Sequence, residues 1–414
     1  GKTKKEDLKK EYIMKILMLG WELPPHNSGG LGVACYQLCK ALSKKDVDIE
    51  FILPYEANHD INFMTITSAL PYGVDIIQKG GTAYSSNLYE FKKTGQKWLN
   101  VHDQQEIYKL AVEQLIEEKE YDIVHAHDWL TFRSALRVKE KKNIPIILHV
   151  HSVESDRAGS GYGNPLIREI EWLGLSLADK IVAISNHTKK AIMHDYGIPA
   201  HKIEVVHNSV GINDVKTISN VNAYTYLNAM KQRGYKVAVN VGRLTVQKGL
   251  PNLLRAFKLV IEKRPKSLLL IVGSGEQYHE LIKQSNDLGI GQNVLFADFQ
   301  RGKKLRDAFS IGDLFVMPSV SEPFGLVPLE AIGYGTPVLI SKQSGVSEVL
   351  KNSLKVDFWD TNEMANKIIS VFNSEALQNE LLNNSIHEFE RMSWEQASND
   401  ITRIYQNHVA GAVA

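Results

Sequence analysis

The sequence predicts an α/β protein that contains two doubly wound parallel sheets. Short apolar runs recur along the chain, and stretches with helical periodicity separate them. Strands that alternate with helices in this way indicate parallel sheets covered by helices on both faces. The series occurs twice, on either side of a polar stretch, and 414 residues are enough for two domains of ordinary size.

The apolar runs define the expected strands and, through them, the domain boundaries. In the first half the predicted strands are 15–19, 47–54, a run from residue 122 that ends in H-A-H-D-W, 146–150, 181–184 and 203–206. In the second half they are 237–241, 268–272, 294–296, 314–317 and 338–340. We therefore expect a tail at 1–14, a first domain at 15–212, a linker at 213–235, a second domain at 236–392 and a final helix at 393–414.

Composition excludes several classes of protein. The net charge is +1, with 48 basic and 47 acidic residues, whereas a nucleic-acid-binding protein is usually clearly basic. No apolar run approaches the roughly 20 residues that a membrane-spanning helix needs. The two cysteines, Cys35 and Cys39, stand four residues apart, which is poor geometry for a disulfide. They are expected to be buried thiols in a reducing compartment, and the protein is expected to be cytoplasmic.

The most informative stretch is S-E-P-F-G-L-V-P-L-E, at residues 321–330, which follows a buried strand and leads into a helix. The loop between strand end and helix start is where an open α/β sheet binds ligands. The backbone N–H groups of Phe324, Gly325 and Leu326 are expected at the helix start, where they suit a phosphate. Glu322 and Glu330 bracket this anion site and would accept hydrogen bonds from the hydroxyls of a polyol.

Two further loops have the composition of a phosphate site. Gly29 and Gly30 lie between the first strand and a helix, in G-G-L-G, where glycine lets the backbone approach a ligand closely. The sequence G-R-L-T-V-Q-K-G places Arg243 and Lys248 between a strand and a helix. Two cations at the ligand edge of a sheet need an anion, and a diphosphate fits both.

The H-A-H-D-W stretch ends another strand at the edge where ligands bind. His125 and His127 share one face of that strand, a geometry that permits both to bind a metal ion. No third ligand stands nearby in the sequence, and we therefore expect no metal.

A long polar, glycine-rich loop follows residue 150 and contains His151, Glu154 and Arg157. Long loops in compact folds usually have a function, and this one is expected to face an acceptor. A hydrolase of the nucleophile-elbow type is not indicated, because no such elbow accompanies the histidine and carboxylates.

Several of these stretches together resemble retaining glycosyltransferases of the GT-B architecture, families 4 and 5. The matching patterns are E-P-F-G-L-x-x-x-E, G-R-L-x-x-x-K-G, H-A-H-D-W, G-G-L-G and a serine–tryptophan helix start at Ser393. The pentapeptide and the glycine loop are similar to those of glycogen and starch synthases. The resemblance extends from about Lys15 to about His408. Ser209 and Ser344 stand where the family usually has glycine.

The resemblance implies two Rossmann-like domains that face a central cleft, with the final helix crossing back to the first domain. It implies that Glu322 contacts the hydroxyls of the transferred sugar, that Glu330 contacts the ribose, and that His127 contacts the sugar. Gly273, in I-V-G-S-G-E, matches a further donor-binding loop of the family.

The expected activity is retaining transfer of a hexose, with glucose favoured, from UDP- or ADP-glucose to a hydroxyl acceptor such as an α-glucan. The catalytic set would be His127, Glu322, Arg243 and Lys248, with no cofactor beyond the sugar nucleotide as co-substrate. A sugar-nucleotide epimerase or hydrolase of the same fold stays open, as does a non-catalytic sugar-binding protein. The sequence does not identify the nucleotide base or the acceptor.

Overall fold

The computed structural model describes residues 12–27, 29–56, 58–69, 76–78, 89–91, 101–210 and 221–410. The chain forms two compact units, each assembled from separate segments. The first unit draws its described residues from Gly1–His149, Ile170–Val182 and Glu395–Ala414. The second consists of Val150–Glu169 and Ala183–Trp394. The loop that follows residue 150 therefore belongs to the unit that also contains Arg243, Lys248 and Glu322.

Fifteen strands lie in the described part of the chain, and their bounds follow. They are β1 (Met14–Leu19), β2 (Val47–Leu53), β3 (Thr65–Ser68), β4 (Ile76–Gln78), β5 (Tyr89–Phe91), β6 (Ile123–His127), β7 (Ile146–Val150), β8 (Lys180–Ala183), β9 (Ile203–Val205), β10 (Lys236–Val241), β11 (Ser267–Val272), β12 (Val294–Ala297), β13 (Leu314–Met317), β14 (Val338–Ser341) and β15 (Leu354–Val356). The predicted strands are all present, with ends shifted by a residue or so. The sequence did not predict β3, β4, β5 or β15.

Fourteen α-helices lie in the same described ranges. They are α1 (Gly30–Leu42), α2 (Val101–Leu115), α3 (Trp129–Lys142), α4 (Glu154–Arg157), α5 (Pro165–Leu177), α6 (Asn186–Tyr196), α7 (Thr225–Gln232), α8 (Leu250–Lys263), α9 (Tyr278–Asp287), α10 (Gly302–Ile311), α11 (Leu326–Gly333), α12 (Thr361–Asn373), α13 (Glu375–Glu390) and α14 (Trp394–Ala410). Of the expected linker, residues 213–220 lie outside the described residues and the remainder contains α7.

Both large sheets have the strand order of doubly wound folds. The first sheet has the order β3-β2-β1-β6-β7-β8-β9, and the second has β12-β11-β10-β13-β14-β15. Every pairing in the second sheet is parallel. In both sheets the strand order reverses beside the first strand of the series, which is where such folds bind ligands. The expected α/β class with parallel sheets is confirmed.

The central strands of the second sheet are buried on both faces, which explains why they are continuous apolar runs in the sequence. Alternate residues of β11 enter opposite cores. Leu269 and Ile271 pack with α8 and α12, whereas Leu268 and Leu270 pack with α10 and α11. This packing fixes the carboxyl ends of the strands. The loops that follow β10 and β13 contain Arg243, Lys248 and Glu322.

In the described part of the chain, none of the helices combines the length and the apolar character needed to cross a bilayer. Cys35 and Cys39 are both buried and unbonded to each other. Burial raises the pKa of both thiols, so they remain protonated.

Candidate active site

The site of interest is built at the carboxyl ends of β10, β11 and β13 in the second unit. β10 lies between β11 and β13 in the sheet, so the three following loops are neighbours. A Cβ atom at Gly249 would lie 2.1 Å from the carbonyl oxygen of Pro318, and one at Gly273 would lie 1.8 Å from that of Gly242. Only glycine permits these approaches. Gly273 therefore has a packing role, in addition to the donor-binding role expected from the resemblance.

Hydrogen bonds fix the loop after β10 against the loop after β13. The backbone N–H of Val320 donates to the carbonyl of Gln247 at 2.9 Å, and the Gln247 side-chain amide donates to the carbonyl of Ser321 at 3.0 Å. Gln247 and Lys248 belong to a 3-10 helix, Val246–Lys248, that leads into α8. Arg243 is half-buried in the same loop. The two loops consequently behave as one framework around Glu322.

Lys248 and Glu322 form a direct ion pair within this framework. The Lys248 ammonium lies 2.6 Å from Glu322 Oε2, and the Ser319 hydroxyl donates to the same oxygen at 3.1 Å. Glu322 is 8% exposed. From the sequence, the lysine is expected to bind a diphosphate and the glutamate to bind a sugar. The structure brings the two together, and a cation and a carboxylate are thus available side by side.

The helix that carries Glu330 begins directly after a glycine in the left-handed region. Gly325 has φ +102°, and α11 starts at Leu326. A residue with a Cβ atom is strained at that φ, so glycine is required by the backbone. The Phe324 side chain is buried in the core of the unit. Its side chain therefore has a packing role, while Glu330 lies within the helix as expected.

The residue before Glu322, Ser321, is held by two side chains of the same unit. Asp156 Oδ1 accepts a hydrogen bond from the Ser321 hydroxyl at 2.5 Å, and His187 Nε2 lies 3.0 Å from the same hydroxyl. Burial raises the pKa of Asp156, but hydrogen bonds from His187, Ser321 and the Val153 N–H outweigh it and lower the pKa overall. Asp156 is therefore an ionised carboxylate bound to the residue before Glu322. The sequence places Asp156 in a polar loop but does not predict this contact.

Contacts on the C-terminal side of Glu322 come from the start of α6. The Ser185 hydroxyl donates to the carbonyl of Pro323 at 2.5 Å. Glu348 accepts hydrogen bonds from the backbone N–H groups of Asn186 and His187, at 2.9 and 2.8 Å. A carboxylate at the N-terminus of a helix stabilises that end of the helix. Glu322 is accordingly held between two fixed neighbours.

The three residues expected to face an acceptor are largely turned inward. Glu154 pairs with Arg157 at 2.9 Å and also accepts from the backbone N–H of Asn164 at 2.9 Å. Arg157 further donates to the side chain of Ser152 at 2.9 Å. Burial lowers the pKa of His151 to about 3, so this imidazole is neutral. These contacts fix the shape of the loop, and a role in binding acceptor stays a prediction.

In the first unit, three histidines lie side by side at the ends of β6 and β7. His125, His127 and His149 are all buried, and their rings are stacked with centroids 4.6 to 5.2 Å apart. His125 Nε2 lies 3.0 Å from His149 Nδ1, and His125 Nδ1 lies 2.5 Å from the Tyr405 hydroxyl.

Histidine is a common metal ligand, and the candidate ligand atoms of these three histidines lie within 4.8 Å of one another. Its geometry favours hydrogen bonding instead. Lone pairs of imidazole nitrogens lie in the ring plane, and nearly parallel rings cannot direct them to one ion at about 2.0–2.1 Å. His127, expected to contact the sugar, has its Nε2 atom 3.0 Å from the Met18 sulfur.

The glycine loop of the first unit leads into α1 as expected. Glu22 Oε1 accepts a hydrogen bond from the backbone N–H of Gly32 at 3.2 Å, and Glu22 is buried. A Cβ atom at Gly32 would lie 2.6 Å from that of Asn27, whereas one at Gly29 meets nothing within 4 Å. Close packing thus requires Gly32. Gly29 and Gly30 are exposed, and their contact with a diphosphate stays a prediction.

Family models match both halves of the chain. Residues 28–213 match the model described as Glycosyltransferase Family 4, and residues 229–388 match that of Glycosyl transferases group 1. The chain is a glycosyltransferase of the family 4/5 type. The residues expected from the resemblance to form the donor site, namely Arg243, Lys248, Gly273, Glu322 and Glu330, all fall within the second match.

Among relatives of this glycosyltransferase is the uncharacterized glycosyltransferase MJ1607 of Methanocaldococcus jannaschii. It is 27% identical over 408 residues, which cover 95% of this chain and 98% of the relative. The glycogen synthase of Mycobacterium tuberculosis is 26% identical over 346 residues, with 82% and 80% of the two chains covered.

Solved structures with the same fold include the sucrose-phosphate synthase of Thermosynechococcus elongatus. The TM-score is 0.74 at 18% identity, with 96% of this chain and 100% of that chain covered. HepE of Anabaena, in complex with UDP and glucose, gives a TM-score of 0.69 at 19% identity, with 95% and 100% covered. These similarities confirm the GT-B architecture expected from the sequence.

Proposed function

We propose that this glycosyltransferase moves a glucose unit from UDP- or ADP-glucose to a hydroxyl acceptor, with retention of configuration. The observation that carries the proposal is the contact between Lys248 and Glu322 at adjacent strand ends. It supplies, at one point, a cation suited to a diphosphate and a carboxylate suited to sugar hydroxyls. The relatives add support, because one is named a glycogen synthase and HepE was solved with UDP and glucose.

In the proposed reaction the bond between the anomeric carbon and the diphosphate oxygen breaks. Positive charge develops at the anomeric carbon, while negative charge develops on the departing diphosphate. Lys248, Arg243 and the backbone N–H groups around Gly325 would stabilise the diphosphate by preorganised electrostatics. The acceptor oxygen bonds to the anomeric carbon on the face that the phosphate leaves, and the acceptor proton passes to a phosphate oxygen. No other reactant is needed for this balance.

The remaining roles follow from the resemblance and are part of the proposal. Glu322 would accept hydrogen bonds from the sugar hydroxyls, and Glu330 would accept them from the ribose. His127 would contact the transferred sugar, and Gly29 and Gly30 would approach the diphosphate. The sugar nucleotide acts as a co-substrate, and the proposed acceptors include an α-glucan.

Mass spectrometry after incubation with UDP- or ADP-glucose and a panel of acceptors tests the proposal. Lys248→Ala and Arg243→Ala should each lower kcat by about 10²–10³, the usual cost of one preorganised contact to developing negative charge. Lys283→Ala is the matched control, because Lys283 is exposed and pairs only locally with Asp287. Circular dichroism checks that the variants fold.

The result that would remove the diphosphate assignment is near-normal turnover in both active-site variants at saturating donor. Release of free glucose at the same rate with and without acceptor would instead identify a hydrolase.

A further inference from the structure

The loop at residues 151–164 lies against both halves of the proposed donor site, within the second unit. At one point Asp156 accepts the hydrogen bond from Ser321, the residue before Glu322. At another point Gly159 packs on Val246, two residues before Lys248, so closely that a Cβ atom at Gly159 would lie 2.8 Å from Val246 Cγ1. The loop therefore runs next to the two loops that contain Lys248 and Glu322.

The loop is held in shape by its own buried charges. Glu154 pairs with Arg157 and accepts from the Asn164 N–H. Gly163 has φ +75°, and a Cβ atom there would lie 2.5 Å from Glu154 Cγ. Left-handed φ and this lack of space both require glycine at that position. The residue next to it, Tyr162, thus projects from a fixed turn.

Tyr162 has an exposed aromatic ring that Arg168 holds in place. It is 68% exposed, yet the Arg168 guanidinium lies 4.4 Å from its ring centroid and also 5.2 Å from that of Tyr196. Arg168 additionally donates to the Tyr162 carbonyl at 3.3 Å. Cation–π contacts of this kind stabilise a ring orientation. Arg168 keeps the ring in place while most of its surface remains open to a ligand.

The arginine of the loop and the arginine beside Tyr162 each lie next to a carboxylate. Arg157 pairs with Glu154, and Arg168 lies 3.8 Å from Asp195. His151 is neutral because burial lowers its pKa to about 3, and Asp156 is ionised. An acceptor with a phosphate group would find no available positive charge on this loop, whereas a neutral acceptor has no such requirement.

We propose that Tyr162 is a stacking platform for the neutral six-membered ring of the acceptor. The proposal rests on the glycosyl transfer proposed above and adds the class of acceptor. A saturated ring with hydroxyl groups has an apolar C–H face that covers an aromatic ring, and the tyrosine hydroxyl remains available for hydrogen bonding. The ring can belong to the end of an oligosaccharide or to a free cyclitol, and maltohexaose and myo-inositol are the two probes.

Steady-state transfer to each probe tests the platform. Tyr162→Ala should raise the KM for the acceptor by about tenfold or more, equivalent to about 1.4 kcal/mol, while the KM for the donor stays unchanged. Tyr162→Phe keeps the ring and should keep most of the affinity. Tyr226→Ala is the matched control, since Tyr226 is 54% exposed on α7 and has no part in the site.

A result with the same acceptor KM in wild type and Tyr162→Ala would overturn the proposal. Saturation-transfer NMR with maltohexaose and UDP separates this from failure of the proposed function, because it needs no turnover. Loss of the transferred signal in Tyr162→Ala, but not in Tyr226→Ala, supports the platform even if no transfer is detected. Equal signals in both variants count against it.

Competition experiments test the neutrality of the acceptor. Glucose and glucose 6-phosphate should inhibit transfer to maltohexaose with similar constants, because the arginines near Tyr162 are already paired. Inhibition by glucose 6-phosphate that is tenfold stronger than inhibition by glucose would show that an unoccupied cation serves the acceptor, and would overturn the neutral-acceptor assignment.

Discussion

Replacement of Glu322 by glutamine should have opposite effects on nucleotide affinity and on turnover. In the ligand-free protein the Lys248 ammonium is 2.6 Å from the Glu322 carboxylate. A diphosphate must therefore compete with this carboxylate for the lysine. Glutamine has the same shape without the charge, so Glu322→Gln should bind UDP more tightly. Turnover should fall, because the carboxylate proposed to hold the sugar hydroxyls is lost.

The size of the gain follows from the burial of the pair. Exposed ion pairs contribute about 0.2–1 kcal/mol, whereas breaking a buried pair costs about 3–5 kcal/mol. The side chains of Lys248 and Glu322 are 19% and 11% exposed, which lies between these cases. We expect UDP to gain about 1–2 kcal/mol, equivalent to about 5- to 30-fold in Kd.

Isothermal titration calorimetry with UDP and with ADP measures this effect. Glu363→Gln is the control, because it removes a carboxylate from a similar lysine pair, Lys367–Glu363, on α12. That variant should bind UDP like the wild type. Unchanged or weaker UDP binding in Glu322→Gln would refute the idea that Lys248 is shared between the carboxylate and the diphosphate.

Three further outcomes are expected. Transfer should survive EDTA, because Lys248 and Arg243 supply the charge that a metal ion would; loss of activity that one divalent metal restores would contradict this. Urea unfolding should show that the free energy of unfolding rises between pH 5 and 6.5, and that this rise is smaller in His151→Asn. The folded pKa of His151 is about 3 and the unfolded pKa about 6.5, so the unfolded state binds more protons there. Asp156→Asn should lower kcat about tenfold through the loss of a charge-assisted hydrogen bond to Ser321, with UDP affinity unchanged in calorimetry. A parallel loss of UDP affinity would indicate general damage.

Sequence pattern was sufficient for the parts of the fold that are buried on both sides. β7 and β13 have the predicted ends, since every residue in them is buried and apolar runs therefore match the strands. β3 failed to appear in the prediction because its residues, Thr65–Ser68, are partly exposed and mostly polar. Edge strands of this kind lack both a continuous apolar run and a clear alternation.

The site was predictable residue by residue but not contact by contact. Lys248 and Glu322 were both identified, yet their ion pair joins positions 74 residues apart. Asp156 meets Ser321 across 165 residues, and no local pattern encodes such a contact. In the 151–164 loop the sequence pattern favoured the charged residues, which the fold turns inward. The available signal for Tyr162 was its position between two glycines, Gly161 and Gly163.

The central claim is that this chain is a retaining glucosyltransferase, and the configuration of its product tests the claim most directly. Proton NMR of the product formed from UDP- or ADP-glucose and maltohexaose reports the configuration at the new anomeric carbon. The donor is α-linked, so we expect an α-glucoside as the first product. A β-glucoside, or the absence of transfer from either donor to any acceptor of the panel, would contradict the account.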